Sequence, residues 1–198
     1  MTLLAGYEWI RIYTVKQVFL SWRMTKPMDF FDVLRERCSI RSFTDQPVEP
    51  EKYQQLLESI NRAPSAGNRQ AYEVYLVTDA ARKSALVAAA LNQEFIAQAP
   101  LVLVFTTHPA LNAERYGERG RDLYAPQDAT IACTYGMLTA TALGLSSVWV
   151  GAFNDDEVHR VIGSPEGQVP VAVLPIGYPA QEKHQRPRRD LDDLVHRL

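Results

Sequence analysis

Cysteine and histidine are scarce, and neither is spaced for chemistry. The two cysteines of the 198-residue chain, Cys38 and Cys133, can neither build a disulfide scaffold nor close a zinc site. They suit a reducing, cytoplasmic compartment. His108, His159, His184 and His196 lack ligand spacing and read as solvated or capping residues. An excess of one charge is also missing. With 21 basic and 23 acidic side chains the formal charge is −2, which leaves no electrostatic footprint for nucleic acid. No run of about 18 apolar residues occurs, so no membrane span is expected. The sequence contains no G-x-G-x-x-G, no G-x-x-x-x-G-K-[ST] and no G-x-S-x-G, the signatures of two phosphate cradles and of a nucleophile elbow. Asp155, Asp156 and Glu157 stand at an expected helix start, where carboxylates suit the dipole, and they read as a cap. Hydrolase and metalloenzyme chemistry therefore has little footing.

What is present is apolar substance. Hydrophobic residues make up 46% of the chain and charged ones 22%, which fits one domain with a real core and excludes disorder for most of its length. Residues 1–27 read as an N-terminal extension, poorly ordered or helical. Within it, 10–22 could form a weakly amphipathic helix, either a membrane-surface or partner-binding arm or an extension the fold does not need. Met24 and Met28 offer later starts, and the domain proper is placed at 28–198.

Periodicity predicts a helix over 29–37 with Asp29 as cap and Phe30, Phe31 and Leu34 as its stripe. A second helix is expected over 51–62. A loop at 63–70 leads to a strand at 72–78, and Asp79 caps a helix at 80–91. The run 100–107 reads as a strand buried on both faces. Residues 108–125 form a polar connection, long enough to be functional or partly helical. A long Ala-rich helix at 127–143 is expected to be central. It is followed by a strand at 146–150, a short helix at 155–162, a strand at 169–176 and a basic tail. This interleaving predicts an α+β layered fold around one sheet of four or five strands.

Four segments carry polar groups in informative places. In Arg37-Cys38-Ser39-Ile40-Arg41, an extended backbone puts Arg37, Ser39 and Arg41 on one face. They make a fork of donors for a phosphate, unless the basic residues merely serve the last carbonyls of the preceding helix. In Pro64-Ser65-Ala66-Gly67-Asn68-Arg69-Gln70, small residues allow close approach to a flat ligand and the amides offer donors and acceptors; an ordinary turn would look similar. In 144–153, a strand ends at Gly151 and Ala152, whose N–H groups are unhindered; a tight strand-to-helix turn is the plain alternative. Arg186-Pro187-Arg188-Arg189 is a cationic cluster that could equally be a solvated tail.

In this order and spacing, those segments are where a resemblance enters. From Met28 onward the chain resembles the nitroreductase family of FMN-dependent oxidoreductases, particularly its short members. The R-x-S-x-R bend, APSAGNRQ, YGERGRDLYAPQDATIA, GLSSVWVGAF and VLPIGYP all look like stretches of that family. The resemblance implies a three-layer α+β fold, a central and mostly antiparallel sheet flanked by helices, and a homodimer with FMN at the subunit interface. It implies that Arg37, Ser39 and Arg41 hold the phosphate with Arg186 and Arg188, an excess over its charge of about −1.5 to −2. Pro64, Ser65, Ala66, Asn68 and Gln70 would approach the flavin from the partner subunit. Asn92 and Gln93 would meet the pyrimidine edge, and Gly151 and Ala152 would lie near N5 and O4. No metal and no catalytic side chain are expected, because solvent can supply the proton.

The implied activity is ping-pong hydride transfer from NADH or NADPH to nitroaromatics, quinones or other electron-poor acceptors. Dehalogenation, ring fragmentation or a non-catalytic flavin sensor are alternatives within the same fold, and 108–125 is where lids of this fold lie. Two departures from the family pattern stand out. Ala71 replaces a proline, which is expected to loosen its loop, and Phe95 replaces a lysine that some relatives carry near the flavin N1.

Overall fold

A computed structural model of the chain describes residues 28–198. The expected 10–22 helix lies outside the described residues. Helix α1 (Phe30–Glu36) starts where Asp29 accepts a hydrogen bond from the Phe31 N–H, and α2 (Pro50–Asn61) follows. Strand β1 (Tyr72–Val77) leads to α3 (Ala80–Ala89), capped by Asp79, and to the single turn α4 (Phe95–Gln98). Strand β2 (Leu101–Thr107) is buried along its whole length. The polar stretch after it is helical, one of the two options its length offered. It is α5 (Pro109–Arg119), broken at Gly117 by a positive φ of 58°, and a wide turn over Gly120–Tyr124 carries it straight into the long α6 (Ala125–Ala142). The short β3 (Ser146–Ser147), α7 (Asp155–Ile162), β4 (Pro170–Gly177) and the final turn α8 (Leu191–Leu194) complete the order.

The four strands form one antiparallel sheet in the order β1-β2-β4-β3. The expected strand at 146–150 is shorter: only Ser146 and Ser147 join the ladder, and Val150 bridges Val173 alone. Alternation along β2 divides the core. Val102 and Val104 face α3, α4 and α7, while Leu101, Leu103 and Phe105 face α2 and α6. Each such side chain, wholly removed from water, contributes about 1.5–3 kcal/mol, so the central strand alone accounts for much of the fold's cohesion. The result is three layers, helices on both faces of a sheet. Among the described residues no helix is long and apolar enough to cross a membrane.

The stripe expected on α1 does not enter this core. Val33 is buried, but Phe30 and Phe31 are 59% and 63% exposed and Leu34 is exposed with them. At α7 the capping side chain is Asn154, which accepts from the Glu157 N–H, and the three acids occupy the first turn beyond it.

Candidate functional site

Three clusters of polar groups are built by the connections at the ends of this sheet. The first is the bend after α1. Arg37 leaves the helix with extended backbone, and the chain alternates as its sequence predicts: Cys38 and Ile40 are buried, Ser39 and Arg41 are exposed, and Arg37 is half-buried. Ser39 bridges Ser147 in parallel, and the Ile40 N–H donates to the Ser147 carbonyl at 3.1 Å, so the bend lies beside β3.

The tail returns along the same stretch. The Thr44 N–H donates to the Tyr178 carbonyl, the Ala180 N–H to the Ser42 carbonyl and the Arg41 N–H to the Gln181 side chain at 3.0 Å. Lys183 pairs with Glu36 at 3.6 Å, and the Gln185 amide donates to the carbonyls of both Arg35 and Arg37. The last carbonyls of α1 are therefore served by Gln185 rather than by guanidinium groups. Arg186 and Arg188 depart from beside Arg37, exposed along with the rest of 181–198.

The second cluster is the 63–71 loop. Its tight turn needs left-handed backbone at Gly67, with φ 54°, and at Asn68 and Gln70 as well, with φ of 57° and 48°. Ser65 Oγ accepts the Gln70 N–H at 2.9 Å, and Gln70 Nε2 donates to the Asn68 carbonyl and side chain. From below, the buried carboxylate of Asp128 on α6 accepts the Ala66 N–H at 2.9 Å and the Ala71 N–H at 3.4 Å. From above, α5 covers the turn so closely that a Cβ on Gly67 would run into the Tyr116 hydroxyl, while Arg69 pairs with Glu114 and bonds the Leu111 carbonyl. Pro64 is exposed at the loop's entry, and a cleft of about 340 Å³ opens beside Gln70, between Leu57 and Ile60 of α2 and Tyr72 of β1. Burial, and behind it the Asp128 charge, pushes the Tyr72 phenol above its ordinary value.

The third cluster joins 91–93 to 151–152. Helix α3 ends two residues earlier than expected because Leu91 and Asn92 turn to φ of 56° and 59°. Gln93 Nε2 then donates to the Ala90 carbonyl at 2.9 Å and across to the Ala152 carbonyl at 3.0 Å. Gly151 and Ala152 are exposed, and among the described residues their N–H groups have no hydrogen-bond partner. All four non-glycine residues with positive φ among the described residues thus fall in two short loops. Backbone held in sparsely populated regions is characteristic of functional sites.

Comparisons with known proteins bear on the chain as a whole. The sequence model of the nitroreductase family matches residues 34–93 and 82–178. The chain belongs to the nitroreductase family. It is 30% identical to a protein named NADH dehydrogenase from Thermus thermophilus, over 81% of this chain and 91% of that one. It is 31% identical to an FMN reductase [NAD(P)H] from Bacillus subtilis, over 82% and 71%. The solved structure of NfrA2 from B. megaterium superposes with a TM-score of 0.79 at 29% identity, covering 86% of this chain and 74% of that one.

Of the residues expected at a nitroreductase cofactor, the fold brings Arg37, Ser39 and Arg41 beside the root of Arg186 and Arg188, and brings Gln93 against Ala152. Within the chain, no hydrogen bond among the described residues links the 63–70 loop to either set. The donor set fits FMN: among the described residues the Arg37 and Arg41 guanidinium groups have no partner, Arg188 bonds only the carbonyls of Arg186 and Pro187, and the Gly151 and Ala152 N–H groups are free for a ring heteroatom. A side chain at Gly151 would stand 3.1 Å from Trp149 Nε1. Cys133 is inert, since burial pushes its thiol up. Phe95 packs into the core beside α3 and supplies no cation.

One expectation needs correction here. Ala71 does not loosen its loop: it is fully buried, its N–H reaches Asp128 and its carbonyl accepts from the His108 N–H. Asp128 itself escaped sequence reasoning. Its signal is one acid among the apolar residues of a central helix, where an unpaired charge would be costly.

Proposed function

We propose that the chain is an FMN-dependent oxidoreductase that takes electrons from NADH or NADPH and delivers them to electron-poor small molecules such as nitroaromatics or quinones. We propose also that it works as a homodimer that shares the cofactor between subunits. The similarity to an FMN reductase [NAD(P)H] over most of the chain supports the cofactor and the donor. The observation that supports the reading most is the return of the tail along 35–44, bonded at Arg41 through Gln181 and at Arg35 and Arg37 through Gln185, the residue before Arg186.

When bound, FMN supplies reversible hydride chemistry between the nicotinamide and the acceptor. The protein's own share is binding and orientation. Arg37 and Arg41, with Arg186 and Arg188 of the tail, neutralise a phosphate by charge-assisted contacts. The Gly151 and Ala152 N–H groups serve as fixed donors to a ring heteroatom. The Gln93 amide spends its hydrogens on Ala90 and Ala152 and keeps its oxygen as an acceptor. The Pro64–Gln70 loop, unbonded to the other clusters in its own chain, is offered to a partner's cofactor.

Exposed Phe30, Phe31 and Leu34 on α1, together with Leu191, Leu194 and Val195 of the tail, supply apolar surface for the second copy. No acid–base side chain is required of the site. An absorption spectrum tests this directly. The purified protein is expected to show a visible flavin band that NADPH bleaches without oxygen and that a nitroaromatic restores. Absence of flavin refutes the reading, and flavin that NADPH leaves oxidised points to a sensor. Bleaching without reoxidation by nitroaromatics or quinones points to dehalogenation or ring fragmentation.

A further inference from the structure

We propose that Asp128 is a positioning residue that pins both ends of the 66–71 turn with one carboxylate and ties that turn to the covering helix α5. The consequence for flavin rests on the function proposed above; the geometry does not. Asp128 is 2% exposed. Oδ1 accepts the Ala66 N–H at 2.9 Å, and Oδ2 accepts the Ala71 N–H at 3.4 Å and Asn112 Nδ2 at 2.9 Å. All three partners are donors. A carboxylate is acceptor-only and can satisfy them together, whereas an asparagine would turn its own NH₂ toward at least one of them. Among the described residues no cation pairs with Asp128, so oriented amides alone hold the charge.

The choice of partners makes the same point. Asn112 on α5 is fully buried, and its Oδ1 has no hydrogen-bond partner among the described residues. A flipped amide would set that oxygen against the carboxylate, so the orientation is fixed by Asp128. An orphan buried acceptor lowers stability, so the contribution of Asn112 here is the donor it gives to Asp128. Ala71 adds a donor that proline, the residue the family resemblance places there, does not possess. Between the two pinned amides lie Gly67, Asn68 and Gln70, the residues with left-handed backbone. A span of that conformation persists when its surroundings over-determine it, and the Asp128 carboxylate sits where it can do so.

Hydrogen exchange and flavin titration of the full-length protein test this together. In Asp128→Asn, amides of 65–71 are expected to exchange about tenfold faster, as the loss of their native anchor requires. Affinity for FMN, read by quenching of flavin fluorescence, is expected to fall about tenfold, the loss of a charge-assisted contact. Unchanged loop exchange in the folded variant overturns the proposal. A rise in β2 exchange with none at 65–71 also overturns it, because Asp128 would then stabilise the fold without holding the turn. If Asp128→Asn does not fold, Asn112→Ala decides: faster exchange confined to α5 supports the tie, and unchanged exchange there refutes it. A wild-type protein that binds no FMN sinks the flavin reading, and the exchange experiment still judges Asp128.

Discussion

The 63–71 loop and the tail beyond Tyr178 both carry residues expected at the cofactor, yet they are held in opposite ways. The loop is fixed from two sides within one chain, by the buried Asp128 below and by Leu111, Glu114 and Tyr116 of α5 above. The tail is fixed only at its root, where its bonds to the bend end at Gln185, and Leu191, Leu194 and Val195 beyond are exposed. One element is a preset turn. The other presents charge and apolar surface whose use needs something outside the chain. Damage to the loop should therefore register first in the stability of the chain, and damage to the tail in what it binds.

The largest effect is expected where the comparison is pushed hardest, in Arg37→Glu combined with Arg188→Glu. Two attractions to a phosphate become repulsions, and at roughly 2 kcal/mol per charge-assisted contact FMN affinity should fall about a thousandfold. The protein should purify colourless and melt lower for want of bound ligand. Circular dichroism should show the helices intact, since neither guanidinium serves a helix carbonyl. A yellow protein with wild-type melting would remove the tail from the site.

Gly67→Ala probes the other side. Left-handed backbone at an alanine costs about 1–2 kcal/mol, and the new methyl must displace Tyr116, whose ring packs edge-on against Tyr124 at a centroid distance of 5.2 Å. Chemical denaturation should report a loss of about 2 kcal/mol. Proteolysis should also find α5 more open at Gly117. A variant as stable as wild type would mean that α5 does not clasp the loop.

How much of this was legible in the sequence follows the same division. The β2 run was readable because a strand buried on both faces is apolar throughout, and the 37–41 bend because alternation survives in an extended segment. Helical spacing also found the stripe on α1, but periodicity reports a face and not what covers it, so Phe30 and Phe31 looked like core and are exposed. The 109–124 region left its helix as one option of two, because glycines and mixed charges are typical of loops as well. Asp128 was hidden for a different reason. Two of its three partners are backbone N–H groups, which every residue but proline owns and no side-chain pattern reveals.

The smallest effect belongs to the root of the tail, where Tyr178 follows β4. Its hydroxyl donates to the Glu49 carboxylate at 2.8 Å and accepts from Lys52 Nζ at 2.6 Å. The Glu49 backbone N–H and then the Tyr178 hydroxyl hold that carboxyl below the usual glutamate range, against a smaller opposing effect of burial. Burial works against the Lys52 charge, but Tyr178 and Glu49 outweigh it and raise its value. A carboxylate whose folded value is depressed stabilises fully above its unfolded value and loses that contribution as pH falls through the folded one. Tyr178→Phe should therefore cost about 1 kcal/mol at neutral pH, and the difference from wild type should shrink below about pH 4. A gap that stays constant into acid would mean that the lost hydroxyl acts through packing alone. An additional loss of FMN affinity in this variant would show that the root of the tail also places its far end, which would make the two regions less independent than their bonding suggests.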